Sequence, residues 1–178
     1  MLLLLEAASF AAQRHRDQRR KDAGATPYIN HPLEVAKILS QAGVEDPDVL
    51  VAALLHDTIE DTETSVTDIT ERFGERVGQF VLEVTDDKSL PKAERKRLQV
   101  QNGRKKSDGA KVIKIADKIA NLQDLVRSPP DWTPERIHAY RLWANEVVLA
   151  CRGINSNLDD QVRALCEPVA GGHDDEST

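Results

Sequence analysis

Four ionisable side chains crowd the end of an apolar run, Leu54-Leu55-His56-Asp57-Thr58-Ile59-Glu60-Asp61. His56 and Asp57 are both competent metal ligands, and a charge at the end of so hydrophobic a segment is costly unless it is paired or bound to a cation. If the helix runs on, Glu60 lies one turn above His56 and Asp61 one turn above Asp57, which gathers three carboxylates into one neighbourhood. A divalent cation would relieve their repulsion. Complementary ligands stand elsewhere: His31, at a helix start before Pro32, and Asp117, which interrupts the apolar Val112-Ile113-Lys114-Ile115-Ala116. Asn121 follows Asp117 by one helical turn. Two imidazoles and two carboxylates form a harder donor set than the thiolates of a structural zinc site, and suit manganese or iron with positions left open.

An ion held there would polarise a phosphoryl oxygen and lower the pKa of water from about 16 towards neutrality. Glu60 and Asp61 are close to the ligands without being needed as ligands, so either is placed to position water or act as a general acid, its pKa raised by neighbouring negative charge. Each residue has an ordinary reading as well. His56-Asp57 would serve as a satisfied helix-end pair, Asp117 as a buried hydrogen-bonded carboxylate, His31 as a helix-start histidine and Glu60-Asp61 as an acidic loop. Their joint occurrence is what points to a metal. Cations accompany each ligand in sequence, with Arg19-Arg20-Lys21 before the loop into His31, and Lys114 and Lys118 flanking Asp117. Those that bind no phosphate are expected to be solvated charges. Tyr140 and Trp143 read as core or helix-contact residues rather than a base-stacking platform. Glycine-rich phosphate loops, paired CxxC motifs and a serine nucleophile elbow are absent from the sequence.

The elements that must position these residues read as helices throughout, with apolar positions recurring at a period near 3.6. A first helix is expected from Leu2 to about Arg20, followed by an irregular loop over 22–30. His31-Pro32 opens a second helix through about Gln41. Asp46-Pro47 launches Val49 to Leu55, apolar all round and so the expected central buried helix. Ser65 or Thr67 caps a short helix to Phe73, Gly74 breaks it, and Glu75 to Thr85 follows. Pro91 starts a charged helix to about Lys106, expected to be solvated along most of its surface and ended by Ser107-Asp108-Gly109. Ala110 to Arg127 is strongly patterned, Thr133-Pro134 caps a long helix through Cys151, and a last helix ends near Glu167. The expected architecture is an all-α, compact multi-helix bundle.

A chain of 178 residues, 40% apolar and 30% charged, is long enough for one well-buried domain. The expected domain covers 1–168, and 169–178 has the composition of a disordered tail. A net charge of −6 argues against a nucleic-acid partner. Cys151 and Cys166 read as buried free thiols, which suits a reducing cytoplasm. The opening Met1 to Leu5 is too short to span a bilayer and lacks a basic n-region, so no membrane partner is expected. Oligomeric state is not legible.

The order His31-Pro32, then His56-Asp57-Thr58-Ile59-Glu60-Asp61, then Ala116-Asp117-Lys118-Ile119-Ala120-Asn121 resembles the HD-domain phosphohydrolases. Arg19-Arg20-Lys21, Thr26-Pro27-Tyr28-Ile29-Asn30-His31-Pro32 and Val84-Thr85-Asp86-Asp87-Lys88 narrow the resemblance to the RelA/SpoT-like small alarmone hydrolases, over about residues 3–165. The resemblance implies a cytoplasmic, manganese-dependent hydrolase of the stringent response, with one ion, that removes the 3′-pyrophosphate of ppGpp and related alarmones. It implies that His31, His56, Asp57 and Asp117 hold the metal, and that Glu60 and Asp61 serve the hydrolytic water and the leaving group. Arg20, Lys21, Asn121 and Tyr140 would contact the nucleotide. Ala120 departs from the bulky residue usual before that asparagine. The alternatives are an HD-type phosphatase for another nucleotide such as NADPH, or a non-catalytic alarmone-binding module.

Overall fold

A computed structural model describes residues 1–166 of the chain. Ten helices make up this part: α1 (Leu2–Arg14), α2 (Asn30–Gln41), α3 (Pro47–Leu55), α4 (Thr58–Asp61), α5 (Val66–Phe73), α6 (Glu75–Val84), α7 (Lys92–Gly103), α8 (Asp108–Arg127), α9 (Pro134–Cys151) and α10 (Ser156–Cys166). Among the described residues there is no strand, only the isolated bridges Arg19↔Pro27 and Asp22↔Pro130. The all-α expectation is met. The expected tail 169–178, with Glu167 and Pro168, lies outside the described residues.

Local chemistry explains most boundaries. Asp46 accepts the Asp48 amide at 3.0 Å and Pro47 fills the first turn, so α3 starts where an acidic cap and a missing N–H both favour it. Ser65 and Asp68 form a reciprocal capping box on α5, and Thr133 caps α9 ahead of Pro134. Two expectations are corrected. The first helix stops at Arg14 rather than Arg20, because the following backbone is drawn into a ribbon in which the Arg20 amide donates to Thr26 at 2.8 Å and the Tyr28 amide to Gln18 at 3.1 Å. Ser107-Asp108-Gly109 does not end a helix but begins one: the Ser107 hydroxyl accepts the Ala110 amide, and the preceding helix is already over at Gly103.

The helix α3 is central, as its uniform apolarity predicts. Val51 to Leu55 are buried, and the helix packs against α1, α2, α6 and α8. The longest helix, α8, packs in turn against α2, α6, α9 and α10. Leu39, Val51, Leu55, Ile113, Ile115 and Ile119 are among the fully buried side chains where these helices meet, each contributing about 1.5–3 kcal/mol. Gly109 permits the close approach of α8 to α6, since a Cβ there would fall 2.7 Å from the Phe80 ring. The charged helix α7 is less solvated than its composition suggests. It lies along α9, and the Trp143 indole donates to the Lys96 carbonyl at 3.1 Å. Cys151 is buried and Cys166 half-buried, both free.

Candidate metal centre

Because α2, α3 and α8 pack pairwise against one another, residues at three distant sequence positions share one point. His31 projects from the first turn of α2, and Asp117 from the middle of α8. His56 and Asp57 occupy the two-residue junction between α3 and α4, where the backbone remains right-handed helical and the Asp61 amide still reaches the Asp57 carbonyl. The His31 Nε2 lies 3.2 Å from Asp117 Oδ1 and 3.7 Å from Asp57 Oδ2. The His56 Nε2 lies 3.1 Å from Asp57 Oδ2 and 4.0 Å from Asp117 Oδ1. Both imidazoles and Asp117 are buried, and Asp57 is largely covered.

The donors fit a divalent cation. His56 Nδ1 donates to the Ala53 carbonyl at 2.8 Å, which assigns the tautomer and aims the Nε2 lone pair into the cluster. That Nε2 is buried without a hydrogen-bond partner among the described residues. His31, His56 and Asp117 each present a ligand atom within 4.8 Å of the other two. The Asp57 Oδ2, though close to both imidazoles, also accepts the Tyr28 hydroxyl at 2.6 Å. Asp117 is held on both oxygens, by Lys118 at 2.8 Å and Asn121 at 2.6 Å.

The cluster's protonation follows from burial set against close opposite charge. Burial alone would push His56 down, but the Asp57 and Asp117 carboxylates outweigh it and push the ring up to about 9. For His31 burial wins, against the pull of Asp117, and its pKa falls. Asp57 and Asp117 would be raised by burial, yet His56 holds the first and Lys118 with His31 holds the second well below the usual carboxylate range.

Glu60 and Asp61 stand together on α4 but face different surroundings. Burial, reinforced by the charges of Asp57 and Asp86, pushes Glu60 up even though its Oε2 accepts the Asp86 amide at 3.1 Å. Arg95 is 3.7 Å from its other oxygen. Asp61 accepts Gln18 Nε2 at 3.0 Å on one oxygen and Lys88 Nζ on the other.

A cavity of about 560 Å³ opens from this cluster on the side of His31, Tyr28 and Asp61. Arg20, Lys21, Asn121 and Tyr140 all line it, and so does Ala120. Arg20 is bound to Asn121 at 2.9 Å and Asp124 at 2.6 Å. Tyr140 leans on Trp132 and Trp143, with ring centroids 5.7 and 5.4 Å away, so it is both a packing residue and a cavity wall. Lys114 and Lys118, which the sequence leaves as solvated charges, are buried; Lys114 caps the end of α6 through the Val84 carbonyl at 3.0 Å. Sequence reasoning missed Gln18, Tyr28, Lys88 and Arg95 as partners of the acidic residues. Tyr28 and Lys88 had a signal, each standing in a stretch that carries the family resemblance, whereas Gln18 and Arg95 had none.

The family model described as an HD domain matches residues 7–144. The chain is 53% identical over 164 residues to a Homo sapiens protein named guanosine-3′,5′-bis(diphosphate) 3′-pyrophosphohydrolase MESH1, covering 91% of this chain and 92% of that one. An Aquifex aeolicus protein named guanosine-3′,5′-bis(diphosphate) 3′-pyrophosphohydrolase is 42% identical over 125 residues, 67% of this chain but only 17% of the longer protein. A solved structure described as a metazoan orthologue of SpoT that hydrolyses ppGpp superposes with a TM-score of 0.90 at 49% identity, covering 93% of this chain and 94% of that one.

Proposed function

Because the chain belongs to the HD-domain family, we propose that its cluster is the centre of a manganese-dependent guanosine-3′,5′-bis(diphosphate) 3′-pyrophosphohydrolase. The observation that carries this is the convergence of His31, His56, Asp57 and Asp117 from three packed helices directly beside Glu60 and Asp61. When bound, the ion supplies Lewis-acid polarisation of the phosphoryl group and a lowered pKa for water.

This chain's residues do the rest. Hydrolysis breaks the bond between the ribose 3′-oxygen and its phosphorus, the oxygen of water passes to phosphorus, and a proton passes to the 3′-oxygen. Glu60, its pKa raised by burial, exchanges that proton at Oε1, since Oε2 is engaged by the Asp86 amide. Asp61, gripped by Gln18 and Lys88, orients the water. Tyr28 and Asn121 hold the Asp57 and Asp117 carboxylates in place beside the two imidazoles. In the adjoining cavity Arg20 and Lys21 meet the guanine end, Asn121 the ribose and Tyr140 the nucleotide face. Incubating purified protein with ppGpp and manganese should release pyrophosphate and leave the guanosine 5′-phosphate product; no pyrophosphate release overturns the reading.

A further inference from the structure

A second cavity, of about 340 Å³, adjoins the first and shares Lys21, Trp132 and Tyr140 with it. Its charge is opposite in sign to that of the chain as a whole, which carries a net −6. Lys21, Lys92, Arg95, Lys96 and Arg136 line it, against the single carboxylate of Asp86, which is occupied by Gln99 Nε2 at 2.5 Å. Of the five cations, Arg95 alone makes an ion pair among the described residues, to Glu60. The Arg95 Nε is buried without a hydrogen-bond partner. Lys96 lies over the Trp143 ring at 4.3 Å, and burial together with the nearby charges of Lys92, Lys118 and Arg136 pushes it down. Like charges gathered around a concave, aromatic-walled space repel until an anion enters.

The cavity's position narrows the choice of anion. The nucleoside cavity meets the metal cluster on the side of His31 and Asp61, whereas this one meets it on the side of Glu60, through Arg95 and the Asp86 amide. At the small end of ligand pockets, it suits a phosphate group better than a second nucleotide. We propose that this basic cavity is a phosphate subsite, which holds the distal phosphate of the substrate's 3′-diphosphate during hydrolysis and the pyrophosphate product after it. This rests on the function read above. As the water oxygen joins the proximal phosphorus and the ribose 3′-oxygen departs with a proton, the distal phosphate stays among Lys92, Lys96 and Arg136. The subsite would therefore favour 3′-diphosphates over 3′-monophosphates.

Both tryptophans of the chain line the cavity, which makes it directly observable. Intrinsic fluorescence of the protein in EDTA, titrated with inorganic pyrophosphate, should change saturably, with weaker binding of inorganic phosphate. The double variant Lys92→Gln/Arg136→Gln alters two exposed side chains, so the fold is retained and the pyrophosphate affinity should fall tenfold or more. Absence of a saturable change, or an unaltered affinity in the variant, overturns the subsite. In turnover, the variant should raise KM tenfold or more for both ppGpp and guanosine 5′-monophosphate 3′-diphosphate. A rise confined to ppGpp would assign the cavity to the 5′-diphosphate and equally overturn the proposal. Wild-type protein that binds pyrophosphate here but hydrolyses no ppGpp would sink the function and spare the anion site.

Discussion

His56 donates from Nδ1 to a backbone carbonyl and aims Nε2 between two carboxylates, so in metal-stripped protein a proton occupies the place where a cation fits. Its folded pKa of about 9 exceeds the ordinary 6.5, so its contribution to stability is complete below about 6.5 and is lost as pH rises through about 9. Asp57 and Asp117, held low, contribute above the ordinary carboxylate range and lose that contribution as pH falls. A metal bound there would have to displace the His56 proton. Manganese affinity should accordingly strengthen about tenfold per pH unit from 7 to 9, with close to one proton released, measured by titration calorimetry in buffers of different ionisation enthalpy. Asp57→Ala should abolish manganese binding, whereas Glu60→Ala should retain it and lower kcat about 100-fold or more. Retained metal in the Asp57 variant overturns its assignment as a ligand. The candidate ligand types and the acidic pair were legible in sequence through their joint occurrence; Gln18 and Lys88 are ordinary polar residues, and only folding brings them to Asp61.

The helices were legible where composition and caps agree. Asp46-Pro47, Thr133-Pro134 and the uniformly apolar α3 are such cases. Reading failed at Ser107-Asp108-Gly109, since the same three residues serve as a helix stop or as a cap and first turn, and the difference lies in which neighbour claims the Ser107 hydroxyl. It failed again after Arg14, where helix propensity lost to the ribbon that delivers Gln18 and Arg20 to the cavity. Gly109 shows what element packing demands. Gly109→Ala should destabilise the protein by about 1–3 kcal/mol through the clash with Phe80, read as a lowered midpoint in urea. Ser65→Ala, which removes a cap remote from the cluster, should cost about 1 kcal/mol and leave kcat unchanged.

For the molecule as a whole, the metal would tie α2, the α3–α4 junction and α8 into one unit, so binding and folding are linked. Manganese at 100 times its dissociation constant should stabilise the fold by about 2.7 kcal/mol, seen by calorimetry as a raised Tm that EDTA reverses and that Asp57→Ala lacks. The all-α class and the candidate metal-ligand side chains follow from sequence alone, because helical periodicity and residue chemistry are properties of short stretches. Spatial convergence is not such a property. Which imidazole nitrogen faces the cluster, which lysines are buried and which carboxylate is pushed up depend on burial and on charges contributed by elements up to a hundred residues apart. Those were decided only when the helices packed together.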